Sequence, residues 1–120
     1  MKTLKAFIPT TNPAKAKSFY RDTLGLHLKS EDNFALEFDG HGSRLRVTTV
    51  PELIPHPFTV LGWDVTDIAS TIKSLQDKGV TFERYKGLQQ DDLGIWTAPS
   101  GTKVAWFKDA DGNILSLSES

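Results

Sequence analysis

The chain has 120 residues, 38% of them apolar and 10% aromatic, which is one domain's worth of sequence with enough apolar mass for a packed core. A formal net charge of -1 and the lack of a long basic run exclude an electrostatic signature of nucleic-acid binding. With no cysteine there is neither a disulfide framework nor a thiolate metal site, and neither a leader-like apolar run nor a membrane-length segment is present. The expectation is a cytoplasmic protein with no nucleic-acid or membrane partner.

The first segment, LKAFIPT, reads as a strand, and a helix starts after it. Asn12 suits the N-cap and Pro13 the first helical position. Ala16, Phe19, Tyr20 and Leu24 recur at helical spacing, and Gly25 stands where a C-terminal cap glycine belongs. Three strands are predicted next: LHLKS, NFALEF and RLRVTTV, the last two joined by the turn-rich DGHGS.

After a proline-rich connector, VPELIPHP, the plan repeats. FTVLGWDV alternates as a strand, Thr66 or Asp67 caps a second helix, and Ile68, Ile72 and Leu75 give it an apolar face ending at Gly79. Strands are predicted at VTFERY, TKVAWFKD and NILSLSE, with the turn DADGN between the last two. The halves are therefore 1–50 and 58–120 with the connector at 51–57, all within a single 1–120 domain. An insertion from Lys86 to Gly101 breaks the symmetry. Loops of this length are either functional lids and rims or merely tolerated segments, and both readings stay open.

Two βαβββ halves, with SFYRDTLGL after the first strand and FKDADGN before the last, resemble the vicinal oxygen chelate superfamily, which includes glyoxalases, bleomycin resistance proteins and extradiol dioxygenases. The likeness spans nearly the whole chain, but both motifs are scaffold pieces, a helix end and a hairpin turn. The resemblance implies an α+β fold whose curved mixed sheet surrounds a central cup, with the helices outside. It also implies a homodimer and, in the family's enzymes, a divalent metal held by His and Glu side chains, one from each of four strands.

Counting from the two motifs and carrying the offsets between halves places those four positions at Lys5, Arg46, Val60 and Ser116. None suits a divalent cation, which asks for imidazole or carboxylate. The three histidines, His27, His41 and His56, show no metal-ligand spacing. The expectation is therefore no metal and no cofactor.

Strand alternation then assigns the cup lining. Lys5 and Phe7 come from the first strand. Phe34, Leu36 and Phe38 are expected to share a face with Arg44, Arg46 and Thr48. Val60, Gly62 and Asp64 come from the fifth strand, and Trp106 and Ser116 from the final hairpin, with Trp96 at the rim. Aromatics, cations and hydroxyls together suit a neutral or anionic organic ligand, so the cationic bleomycin is a poor candidate. The same aromatics also make ordinary core, and the cations ordinary solvated strand residues. The favoured reading is a small-molecule-binding protein rather than an enzyme. A metal-dependent lyase or dioxygenase with displaced ligands, a metal-independent enzyme and a pure interaction module stay open as alternatives.

Overall fold

Asn12 and Asp67 open the two halves of the chain in the same way, each as an N-cap following a strand. The computed structural model describes residues 1–120, which fall into two units, Met1–Pro55 and His56–Ser120. Each unit is one βαβββ repeat carrying a four-stranded mixed sheet, and the fold class is α+β.

In the first unit, β1 (Lys5–Thr10) leads to α1 (Pro13–Lys17), where the Lys15 N–H donates to Asn12 Oδ1 at 3.1 Å. The helix then widens into a π-helical turn (Ser18–Thr23), in which the Leu24 N–H reaches back five residues to the Phe19 carbonyl. Gly25 follows at φ 75, the left-handed conformation that ends the helix. The buried Ala16 and Tyr20 turn toward the sheet, and the Tyr20 ring lies 5.9 Å from that of Phe38. Strands β2 (His27–Glu31), β3 (Ala35–Gly40) and β4 (Ser43–Thr49) complete the order β1-β4-β3-β2, with β1 and β4 parallel.

In the second unit, β5 (Thr59–Asp64) precedes α2 (Ile68–Asp77). The Ser70 N–H donates to Asp67 Oδ1, and Glu119 reaches across the sequence to accept the Ile68 N–H at 2.9 Å. Two of the four free N–H groups of this helix start are thus satisfied by carboxylates. Ile68, Ile72 and Leu75 are buried on the sheet formed with β7 (Lys103–Lys108) and β8 (Ile114–Glu119), whose Phe107 and Leu115 are fully enclosed. The DADGN turn closes with Asn113 donating its backbone N–H to Asp109 Oδ1 and its side-chain amide to Asp109 Oδ2, both at 2.9 Å. No helix is long and apolar enough to cross a membrane.

Two expectations need correction. VTFERY does not form a strand: Phe82 makes a single bridge to Phe107, and the Glu83 N–H donates to the Trp106 carbonyl at 2.8 Å. The strand that pairs with β7 is β6 (Trp96–Thr97), supplied by the insertion, and the sheet order is β5-β8-β7-β6. The cause is Gln90. Its Oε1 accepts the Tyr85 N–H at 2.8 Å, and its Nε2 donates to the carbonyls of Glu83 and Gly94 at 3.0 and 2.8 Å. The side chain takes up backbone groups that a continuous ladder would have used.

The second correction concerns the first hairpin. Its loop is two residues, His41 at φ 50 and Gly42 at φ 97, so Gly40 pairs with Ser43. Leu36 therefore pairs with Val47 and Phe38 with Leu45, all buried, while Glu37 pairs with Arg46 and Asp39 with Arg44. Leu36 and Phe38 are core residues on the face opposite the arginines. A register slip of one residue turns a whole strand over.

Candidate functional site

Each unit has one sheet face without a helix, and the predicted site residues distribute over these two faces, apart from the buried Leu36 and from Phe34, which precedes β3. In the second unit, the strand register aligns Gly62, Ser116 and Trp106 in one row across β5, β8 and β7. Asp64, Ser118, Val104 and Trp96 form a parallel row. Ser118 Oγ donates to Asp64 Oδ1 at 2.7 Å, so Asp64 pairs with a hydroxyl. Val60 sits where the β5–β8 register skips, and it is 39% exposed.

Trp106 is fixed on three sides. Its indole N–H donates to Thr59 Oγ1 at 3.1 Å, the Tyr85 ring meets it edge-on at 5.5 Å, and Trp96 lies 6.2 Å away at 34°. Aromatic pairs at these separations are favourable geometries that hold the rings in place. Gly62 is equally determined, because a Cβ there would collide with Ser116 Oγ. The serine hydroxyl thus lies over the glycine, in the same row as the indole.

A cleft of about 370 Å³ adjoins Trp96, lined by Gln89, Gln90, Asp91, Ile95, Trp96 and Thr97. Its size is within the range of small-molecule sites. Asp91 shapes its wall by accepting the N–H groups of Leu93 and Ile95, both at 2.9 Å. Tyr85 Oη is enclosed without a hydrogen-bond partner, and burial, helped by Glu83, pushes its hydroxyl pKa up.

In the first unit, Lys5 aligns with Arg44 and Phe7 with Arg46 across the parallel β1–β4 pair. Glu37 lies between the cations: Lys5 Nζ is 3.5 Å, Arg44 Nη1 3.4 Å and Arg46 Nη1 3.3 Å from its carboxylate. Burial pushes the Glu37 carboxyl up, but Arg44, Lys5 and Arg46 together outweigh it and hold its pKa below the ordinary range. Phe34 lies just before β3 and is largely exposed.

Glu37, Thr59, Tyr85 and Gln90 were not among the predicted site residues. Glu37 was legible in the alternation LEFDG against RLRV, which matches apolar with apolar only when Glu37 opposes Arg46. Nothing in the local sequence marks Thr59 or Gln90, whose partners are set by the tertiary fold and the loop path.

The positions at which the family resemblance implies metal ligands remain Lys5, Arg46, Val60 and Ser116, and they do not fit a divalent cation. Lys5 and Arg46 are engaged with Glu37, and no group of three or more His, Asp or Glu side chains that could hold a metal occurs.

A family model described as the Glyoxalase/Bleomycin resistance protein/Dioxygenase superfamily matches residues 3–117. Among solved structures, a member of that superfamily from Sphaerobacter thermophilus is 24% identical, with a TM-score of 0.74 over 100% of this chain and 98% of its own. A glyoxalase family protein from Enterococcus faecalis is 22% identical, with a TM-score of 0.71 over 99% and 96%. A lactoylglutathione lyase from Agrobacterium tumefaciens is 15% identical, with a TM-score of 0.75 over 98% and 92%. No curated protein matches the sequence.

Proposed function

We propose that this chain, which belongs to the Glyoxalase/Bleomycin resistance protein/Dioxygenase superfamily, is a small-molecule-binding protein that takes a neutral or anionic organic ligand without a metal. The observation that carries the reading is Trp106. Its indole is held by Thr59, Tyr85 and Trp96 on a sheet face without a helix, next to a hydroxyl and a glycine rather than under a helix. A flat, fixed aromatic surface beside convergent polar groups is the usual make-up of an organic ligand site. Ser116, Asp64 and Trp96 supply the polar and aromatic surroundings, and Val60 the apolar edge.

Binding is favoured over proton-transfer chemistry by the two shifted groups on these faces. Glu37 is a carboxylate held ionised, and Tyr85 is a phenol held neutral, so neither is tuned to exchange a proton near neutrality. The reading includes a homodimer in the cytoplasm. Exposed Leu4, Ile54 and Phe58 supply apolar surface for self-association, which sedimentation would detect.

The test is titration of chelator-treated protein with benzamide and larger neutral flat aromatics, followed by tryptophan fluorescence and by the melting midpoint. A saturable change that Trp106→Leu abolishes supports the reading. Equal responses from wild type and Trp106→Leu, or none from either, overturn it.

A further inference from the structure

The three cations of the first unit are arranged around a carboxylate that lies beneath them. The Glu37 side chain is 13% exposed, whereas those of Arg46, Arg44 and Lys5 are 31%, 38% and 41% exposed. Glu37 therefore acts as a tether that fixes three basic side chains with their outer donors in water. The ion pairs engage Nη1 of each guanidinium and, through Asp39 at 3.8 Å, Nε of Arg44, so Nη2 of both arginines remains available to a further acceptor. Lys5, Arg44 and Arg46 stand against Glu37, Asp39 and Asp32, so the group is formally balanced and offers placed donors in place of surplus charge. Asp32, whose charge also reaches Arg46, already accepts the N–H groups of Phe34 and Ala35.

Phe7 lies beside this group. It aligns with Arg46 across the β1–β4 pair and is 65% exposed, a large apolar ring left in water next to a pre-arranged guanidinium. A core role for Phe7 is excluded by that exposure, because the core side of the same strand is taken by Ile8 at 2%. Exposed guanidinium donors beside an apolar ring match an anionic group carried on an apolar body. Planar guanidinium donors match carboxylate oxygens in pairs.

We infer that the solvent face of β1 and β4 binds an organic monocarboxylate with an apolar ring, its carboxylate on Arg44 and Arg46 and its ring against Phe7. The inference rests on the small-molecule-binding reading and narrows it to a ligand class. It also gives Glu37 a role as the positioning residue that keeps the guanidiniums in place before the ligand arrives.

The test is a two-dimensional NMR titration of the full chain with benzoate, with its neutral counterpart benzamide and with inorganic phosphate. Benzoate is expected to shift the Phe7 and Arg46 amides saturably, while benzamide leaves them in place. Arg46→Met and Arg44→Met, which keep the apolar stems, should each weaken benzoate roughly tenfold or more. Unmoved β1 and β4 resonances, or wild-type affinity in both variants, overturn the inference, as does phosphate displacing benzoate at equal concentration. If benzamide or benzoate moves the Trp106 indole resonance while β1 and β4 stay unmoved, the inference falls and the general reading stands. If no resonance moves in either unit, both fall.

Discussion

Gly62 is an exposed strand residue at which a Cβ would meet Ser116 Oγ, the end of a rotatable side chain. Gly62→Ala should therefore lower the stability to chemical denaturation by about 1 kcal/mol at most, the low end of overpacking costs, because the hydroxyl can rotate aside. Adding Ser116→Ala should return part of that loss, since the two sites share one contact and are not additive. Glu37 gives a second prediction at this scale. Its pKa in the folded chain lies below the unfolded value of about 4.3. The native state binds fewer protons through that window, so the contribution of Glu37 is complete above the unfolded value and lost as the pH falls through the folded one. Glu37→Gln should be less stable than wild type at neutral pH, and denaturation curves of the two should converge in acid. Curves that stay equally far apart at every pH would remove the ion-pair account of this residue.

At the scale of elements, the insertion is tied to the Glu83–Tyr85 segment chiefly by the Gln90 side chain, with Asp91 bonding within the loop. Gln90 accepts from Tyr85 and donates to Glu83 and Gly94, and these bonds fold the loop so that Trp96 and Thr97 become an edge strand. Gln90→Ala leaves part-buried backbone groups without their partner, each costing about 1 kcal/mol. The expected result is faster hydrogen exchange at the Tyr85 amide and around β6, with the DADGN turn protected as before; unchanged exchange at Tyr85 would contradict it. These elements also mark what the sequence makes legible. Caps at Asn12 and Asp67, the glycine stops and the Asp109–Asn113 turn are local chemistry, so short windows of sequence reveal them. The edge strand was not legible, because its formation depends on a glutamine side chain replacing ladder bonds several residues away. The β3 register was legible in principle, but reading Phe34, Leu36 and Phe38 as ligand-facing aromatics and aliphatics set the strand one residue out of phase and hid Glu37.

At the scale of the whole molecule, membership of the superfamily accounts for the two βαβββ repeats, and the chemistry lies in what this chain carries on its bare sheet faces. Trp106 and Ser116 were readable from the alternation of the final hairpin and Gly62 from that of β5, whereas the partners that fix the indole come from elsewhere in the unit. The central claim is that these faces bind an organic ligand without metal assistance. Lys5 and Arg46 are committed to Glu37, and Val60 and Ser116 have no carboxylate or imidazole to offer. The most direct test is the melting midpoint of wild-type protein with a saturating aromatic carboxylate, measured after chelator treatment and again with zinc, nickel or manganese restored. A ligand that binds the native state raises the midpoint by mass action. The account predicts the same rise with and without metal. A rise that appears only once a divalent metal is restored would contradict it.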